Sequence, residues 1–201
     1  MIIVRDFEQG SPEWLAAKAG LPSSSNFDKL VTPKGKPSEA WENYALDLIT
    51  QKHMPDDKES VSSFWMDRGV ELEPEGRQYY EEEKFIDVEQ VGLVYSDKKK
   101  LVCASPDGLV AVDGSIEIKC LKGTNHLKVL RSQQMPDKFK PQTQGVMWIC
   151  ECEWIDFVAY HPVFKKFIQR QYRDEQYITL LESSLAIFLE RMAEIEKQVI
   201  E

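Results

Sequence analysis

The spacing of hydrophobic residues changes near residue 90, and this change constrains the fold more than any other feature of the sequence. Before it, apolar residues recur every three or four positions and predict helices over 41–49 and 62–84, the second kinked or divided by Pro74. After it, alternating apolar residues predict short strands. Helical spacing returns at 142–149 and 177–195. This order predicts an α/β fold, a mixed sheet flanked by helices.

Turn residues divide the centre of the chain into the expected strands. These strands cover 91–95, 101–104, 109–112, 115–120, 154–160 and 167–172. The sharpest hairpin signal is Asp113-Gly114, because Asp-Gly is a favoured two-residue turn between antiparallel strands. The apolar stripe of the last helix is expected to pack on the protein's own core.

Composition indicates one domain over residues 1–201. The chain is 42% hydrophobic and has no repeat or long linker, so it is able to bury one core. Its N-terminus lacks the apolar segment of a signal peptide, and no apolar run approaches the roughly 20 residues of a membrane span. We expect a soluble, cytoplasmic protein. Four cysteines lie in apolar segments and are expected to be small core residues, with an iron–sulfur cluster as the alternative: Cys103, Cys120, Cys150 and Cys152.

The net charge of −9 argues at first against a nucleic-acid partner, because DNA affinity comes mainly from Lys and Arg at phosphates. The charges are unevenly distributed, however. Acidic residues crowd the segment 71–89, whereas basic residues dominate 98–140. A locally basic groove, supplemented by a bound divalent cation, therefore remains compatible with DNA binding.

The strand around Glu117 carries the strongest chemical signal. Period-two geometry sends Ile116 and Ile118 to one face and Glu117 and Lys119 to the other. Asp107 ends the preceding strand ten residues earlier, and the short hairpin between them returns it to the side of Glu117. Two carboxylates and a lysine are thus expected to converge.

This set suits metal-dependent hydrolysis of a phosphodiester. Carboxylate oxygens are preferred ligands of Mg²⁺, and bound metal lowers the pKa of water and offsets phosphate charge. A neighbouring lysine orients or deprotonates the attacking water. The alternative is an ordinary solvated strand with alternating charges, but the combination of Pro106-Asp107 with Glu117-Ile118-Lys119 favours a nuclease site.

A longer series of motifs resembles the phage lambda exonuclease family, the YqaJ-like viral recombinases, which have a restriction-endonuclease-like core. The motifs are Gly10-Ser11-Pro12-Glu13-Trp14, Ala19-Gly20, Ser105-Pro106-Asp107-Gly108-Leu109, Glu117-Ile118-Lys119-Cys120 and Gln142-Thr143-Gln144-Gly145-Val146-Met147-Trp148. The resemblance spans nearly the whole chain. It implies a catalytic core at about residues 62–172.

The resemblance implies a two-metal, Mg²⁺-dependent 5′-to-3′ exonuclease on double-stranded DNA with a 5′-phosphate end, with Mn²⁺ as a substitute metal. It further implies a ring-shaped homotrimer, a single-strand annealing partner and a phage or prophage origin. By motif, Asp107, Glu117 and the Ile118 carbonyl hold metal, and Lys119 assists the attacking water. Glu73 supports the second metal, the alternative being a solvated acid in an acidic run.

The family's 5′-phosphate pocket corresponds to Lys18, Ser25, Ser105 and Gln142. Lys18 departs from the arginine of the family example, and a lysine lacks the planar fork that grips phosphate with two nitrogens. Ser25 has helix capping before Asn26 as its alternative, and Gln144 is the alternative to Gln142. Asn125 and His126 stand where the family example contacts the minor groove. Met66 is the candidate wedge at the end base pair, with a core role as its alternative.

Two rival functions remain open at this stage. The first is an endonuclease, or a nuclease of other polarity, on the same fold. The second is a non-catalytic DNA-binding subunit of a recombination complex. The set of Asp107, Glu117 and Lys119 argues against this second function, because a scaffolding subunit does not need these three side chains together.

Overall fold

The computed structural model describes residues 1–55 and 64–200, apart from the side chains of 64–67. The strands are β1 (Ile2–Val4), β2 (Val88–Glu89), β3 (Leu93–Tyr95), β4 (Cys103–Ala104), β5 (Gly108–Val110), β6 (Gly114–Lys119), β7 (Trp154–Ala159) and β8 (Phe167–Tyr172). The helices are α1 (Pro12–Lys18), α2 (Trp41–His53), α3 (Phe64–Lys84), α4 (Gly123–Ser132), α5 (Lys140–Ile149) and α6 (Glu175–Ile200), with 3₁₀ helices at Ser24–Lys29 and Asp137–Phe139. The predicted mixed sheet flanked by helices is confirmed.

The main sheet has five strands in the order β2-β5-β6-β7-β8, and a small antiparallel sheet has the order β1-β3-β4. Strands β6 and β7 are parallel, whereas the other neighbours in the main sheet pair antiparallel. A parallel pair needs a crossover, and α4 and α5 supply it. The crossover brings the start of α5 back to the carboxyl end of β6, next to Glu117 and Lys119.

The apolar stripe of α6 packs on the protein's own core, as the sequence predicts. Tyr177, Leu181, Leu185 and Phe188 are buried, and the Phe188 ring stacks on Tyr44 of α2 with 5.4 Å between centroids. Leu180, expected on the same face, is 38% exposed. No helix in the described ranges is long and apolar enough to cross a membrane.

The hairpin between β5 and β6 differs from the predicted two-residue turn. Val110 pairs with Gly114, so the loop is the three residues 111–113, and Ala111 adopts a left-handed conformation with φ 53°. Gly114 begins β6, where it pairs with Trp154 of β7, and the Trp154 ring leaves room only for glycine: a Cβ at Gly114 would lie 2.1 Å from Trp154 Cζ2. The hairpin loop is therefore influenced by a contact with β7, a strand that is distant in the sequence.

Changing Gly114 to alanine is expected to destabilise the fold by about 1–3 kcal/mol, the cost of forcing an extra carbon into a packed core. The free energy of unfolding in urea measures this effect. Gly69→Ala is the matched control, because a Cβ there meets no atom within 4 Å and alanine favours helix. Equal stability of the two variants would contradict the proposed role of the Trp154 contact.

Two α-helices in the described residues, α1 and α4, were not predicted from the sequence. Of the two outcomes predicted for Pro74, a kink or a division, the division is wrong, because α3 continues through Pro74. Helix α4, which the sequence analysis did not anticipate, buries only His126 and Val129, so its apolar stripe is too weak to read from the sequence.

The four cysteines are free thiols, and three of them are buried. Burial raises the pKa of Cys103 to about 11, which keeps this thiol protonated. These properties agree with the predicted role of cysteines as small core residues.

Candidate active site

Strand β6 places Glu117 and Lys119 side by side at the centre of the main sheet. Glu117 is 1% exposed, which rules out the solvated strand considered from the sequence. Its Oε1 lies 2.5 Å from Lys119 Nζ and accepts a hydrogen bond from Gln142 Nε2 at 2.6 Å. Its Oε2 is buried and has no hydrogen-bond partner within the described part of the chain. A buried carboxylate oxygen without a donor is uncommon and calls for an explanation.

Asp107 meets this strand through a backbone amide. Strand β5 stops pairing at Gly108, opposite Ile116, so the amide of Ile118 lies beyond the ladder. Asp107 Oδ2 accepts a hydrogen bond from Ile118 N at 2.6 Å. The Lys119 carbonyl accepts from Tyr160 N on the β7 side. Since successive carbonyls of a strand point in opposite directions, the Ile118 carbonyl points toward the side where Asp107 lies.

Glu73 reaches the same cluster from α3. Its Oε1 pairs with Arg77 Nη2 at 2.6 Å, one helical turn away, and the Arg77 Nε donates to the Asp107 carbonyl at 3.2 Å. The Glu73 side chain is 31% exposed, so it is not the fully solvated acid of the alternative interpretation. Sequence reasoning missed Arg77, although its spacing from Glu73 is a signal for an ion pair on a helix.

The three acids and Lys119 influence one another electrostatically. Burial, followed by the negative charges of Glu117 and Glu73, raises the pKa of Asp107 well above its usual range. Burial also raises the pKa of Glu73, with Arg77 opposing and Glu117 adding to the shift. For Lys119, burial lowers the pKa but the surrounding carboxylates outweigh this effect, so the net pKa is raised. These shifts in pKa show that the three acids and Lys119 form a single electrostatically coupled cluster.

The cluster offers hard oxygen donors to a cation. Among the described residues, His, Cys, Asp and Glu form no ready group of three around one point, because Asp107 faces an amide and Glu117 faces Lys119. The unpartnered Glu117 Oε2 is the atom that a cation would satisfy. Together with the Asp107 carboxylate and the Ile118 carbonyl, it makes a donor set that suits Mg²⁺ or Mn²⁺.

Lys18 and Ser105, two of the predicted phosphate-binding residues, are linked by Trp14. The Lys18 ammonium lies 4.5 Å from the centroid of the Trp14 ring, whose Nε1 donates to Ser105 Oγ at 3.1 Å and to the Gly92 carbonyl at 2.9 Å. Burial lowers the pKa of Lys18. An anion placed beside this poorly hydrated ammonium would stabilise its charge.

Ser25 lies on the neighbouring 3₁₀ helix. It is exposed, whereas Ser23 and Ser24 are each 2% exposed, so Ser25 alone of the three presents a hydroxyl to a ligand. The N-cap position of this helix is Ser23, not Ser25, and the Ser23 side chain makes no capping hydrogen bond. Ser23 forms a β-bridge with Cys103, so the start of this 3₁₀ helix lies beside β4, the strand that leads to Ser105.

Gln142 and Gln144 occupy different surroundings. Gln142 donates to Glu117, so its amide belongs to the acid cluster. Gln144 is 4% exposed and bonds the Tyr172 carbonyl and the Asp174 amide. Gln144 thus fixes the end of β8, which leaves Gln142 as the glutamine open to a ligand.

The three predicted additional DNA contacts have different outcomes. Asn125 is exposed at the start of α4. His126, the second candidate DNA contact, is buried in this structure: it is 0% exposed, its Nε2 bonds the Lys165 carbonyl, and its ring stacks on Phe164. Met66 has its side chain outside the described residues.

A family model, the YqaJ-like viral recombinase domain, matches residues 13–153. The chain belongs to this family. The resemblance inferred from the motifs is therefore confirmed. All residues of the candidate site, from Lys18 to Gln142, lie inside the matched range.

Solved structures agree with this membership of the YqaJ-like family. The chain is 30% identical to LHK-Exo in a crystal structure with dAMP, covering 94% of this chain and 96% of that one, with a TM-score of 0.84. A second structure, of the alkaline exonuclease LHK-Exo from Laribacter hongkongensis, is 29% identical over the same shares, with a TM-score of 0.85.

A more distant structure shares the fold alone. A phage-related exonuclease from Haemophilus somnus is 12% identical over 89% of this chain and 96% of that chain, with a TM-score of 0.65. A search of curated proteins found no match.

Proposed function

We propose that this chain is a Mg²⁺-dependent exonuclease that degrades double-stranded DNA from 5′-phosphorylated ends in the 5′-to-3′ direction. The observation that carries the proposal is the buried Glu117, paired with Lys119 beside Asp107 and with one carboxylate oxygen lacking a donor. Similarity to an alkaline exonuclease supports it. LHK-Exo also binds dAMP, a deoxynucleoside monophosphate, which is the class of product that the proposal requires.

Each side chain of the cluster has a role in the proposal. Asp107, Glu117 and the Ile118 carbonyl would hold the cation, and Glu73 would support a second one. A bound cation supplies a lowered pKa for water and offsets phosphate charge. The Lys119 ammonium would orient the water that attacks phosphorus. As the water oxygen bonds to phosphorus, the P–O3′ bond breaks, and a proton from water passes to the departing O3′.

Cleavage of the P–O3′ bond explains why a pocket for the 5′-phosphate end is useful. The nucleotide that leaves keeps its own 5′-phosphate, and the shortened strand gains a new one. Each cycle therefore regenerates the group that Lys18, Ser25, Ser105 and Gln142 would bind. Hydroxyl and amide donors and an ammonium are suitable partners for a phosphate dianion.

The proposal also includes an oligomeric assembly and a cellular setting, both suggested by the resemblance to the lambda exonuclease family. A homotrimeric ring would enclose the duplex, and a single-strand annealing protein would receive the 3′ single-stranded tails. Phage or prophage origin would set the reaction in the cytoplasm of a bacterial host. Mn²⁺ is expected to replace Mg²⁺.

Digestion of three substrates tests the proposal: a 5′-phosphorylated linear duplex, the same duplex with 5′-hydroxyl ends, and a closed circle. With Mg²⁺ we expect rapid release of mononucleotides from the first, slower release from the second and none from the third. Lys18→Ala is expected to lower the rate on the phosphorylated duplex by roughly tenfold to a hundredfold, since a charge-assisted hydrogen bond contributes about 1.5–3 kcal/mol.

Lys29→Ala is the matched control for Lys18, because Lys29 also lies over an aromatic ring, 4.9 Å from the centroid of Tyr44. Its end preference should equal that of the unmodified protein. Cleavage of the circle would favour the endonuclease alternative. Retained DNA binding without hydrolysis in Mg²⁺ or Mn²⁺ would favour the non-catalytic subunit.

A further inference from the structure

Arg77 contacts two acids of the cluster that come from different parts of the chain. It lies on α3 with its side chain 11% exposed. Its Nη2 is 2.6 Å from Glu73 Oε1 on the same helix, and its Nε donates to the Asp107 carbonyl at 3.2 Å, 30 residues along the chain. One planar guanidinium thus sets the distance between Glu73 and the turn that carries Asp107.

Gln9 also bonds the turn that carries Asp107. The Gln9 amide donates to the Pro106 carbonyl at 2.8 Å and to the Val91 carbonyl at 3.0 Å. Two consecutive carbonyls of the turn, those of Pro106 and Asp107, are therefore each bound by a side chain. The Asp107 carboxylate is left to meet Ile118 and the cluster.

We infer that Arg77 is a positioning residue, which fixes Glu73 and Asp107 relative to each other so that their carboxylates are arranged for a divalent cation. This inference rests on the proposed function. Arg77 itself would not bind the cation, because its guanidinium is cationic; its side chain is 11% exposed and its nitrogens contact Glu73 and the Asp107 carbonyl. The ion pair uses Oε1 of Glu73, so Oε2 is the oxygen that would serve the cation or its water.

The geometry requires arginine at this position. Nitrogens Nε and Nη2 of a guanidinium donate side by side in one plane, and this fork reaches two acceptors at a fixed separation. A lysine ammonium keeps the charge but concentrates it at one atom on a flexible stem. Arg77→Lys therefore retains the ion pair with Glu73 or the bond to Asp107, but does not fix both in one orientation.

Titration of Mn²⁺ into the full-length protein by calorimetry, together with turnover measured as a function of Mn²⁺ concentration, tests the inference. Residues that orient metal ligands contribute about 10–100-fold to metal affinity. We expect Arg77→Lys to raise the Mn²⁺ Kd by that factor, with turnover at saturating Mn²⁺ falling much less. Gln9→Ala, which removes the other support of the Asp107 turn, is expected to raise the Kd in the same direction.

Arg170→Lys is the matched control, because Arg170 makes a comparable two-nitrogen pair with Asp156 on the sheet, at 2.9 and 2.8 Å. It is expected to lower the melting temperature without changing the Mn²⁺ Kd. Unchanged Mn²⁺ affinity in both folded variants, Arg77→Lys and Gln9→Ala, with normal binding by the unmodified protein, would overturn the inference alone. Absence of Mn²⁺ binding by the unmodified protein would overturn the proposed function along with it.

Discussion

Glu117→Gln is expected to slow DNA hydrolysis by about a thousandfold or more while the protein stays folded. A glutamine oxygen accepts the same two hydrogen bonds, from Lys119 and Gln142, that Glu117 Oε1 accepts. The shape of the site is kept and the negative charge is lost. Charge stabilisation by a bound metal contributes several kcal/mol in a transition state, which corresponds to about a thousandfold in rate.

Single-turnover release of label from a 5′-phosphorylated duplex measures this effect, with Glu75→Gln as the control. Glu75 lies on α3 two residues after Glu73, is exposed, and accepts a hydrogen bond from Tyr160 outside the cluster. The melting temperature of Glu117→Gln should change little, because the substitution relieves repulsion of Asp107 and Glu73 but also removes the ion pair with Lys119. Equal rates for the two variants would refute the role of Glu117.

Lys119→Met is the second large expected effect, a loss of about 10²–10⁴-fold in kcat. This is the range that a positioned group contributes to proton transfer or to orientation of the attacking water. Lys119 is 25% exposed, and methionine replaces its apolar stem without the ammonium. DNA binding measured with Ca²⁺ should persist, since the substitution leaves the proposed phosphate pocket of Lys18, Ser25, Ser105 and Gln142 unchanged.

Lys138 provides the matched control for Lys119. Both ammonium groups lie near the Phe139 ring, at 5.3 Å for Lys119 and 4.8 Å for Lys138, but Lys138 is exposed and has no contact with Glu117. Lys138→Met removes the same charge from the same region. It should leave kcat unchanged, and any effect should be on KM. A similar kcat for the two variants would mean that Lys119 contributes only general positive charge.

The sequence predicted the parts of the site that depend on local geometry. Alternation along β6 places Glu117 and Lys119 on one face, and a short hairpin returns Asp107 to Ile118. The structure adds the observation that this face is buried, which alternation alone does not reveal. The burial arises because α5 packs on this face of β6, where Gln142 bonds Glu117.

Contacts between distant elements account for what the sequence did not reveal. The position of Gly114 in β6 leaves room only for glycine because the Trp154 ring of β7 packs on it. His126 is buried because Phe164 and the Lys165 carbonyl, from the connection between β7 and β8, cover it. The positioning role inferred for Arg77 depends on its hydrogen bond to the carbonyl of Asp107, a residue that is distant in the sequence. Each of these contacts depends on tertiary packing, which hydrophobic spacing does not specify.

Anomalous diffraction from crystals of the protein soaked in Mn²⁺ is the most direct test of whether Asp107 and Glu117 bind a cation. The account predicts an anomalous peak within coordination distance of an Asp107 oxygen, of Glu117 Oε2 and of the Ile118 carbonyl. A fully soaked crystal with no peak among these three groups, or with Mn²⁺ bound only elsewhere, would contradict it.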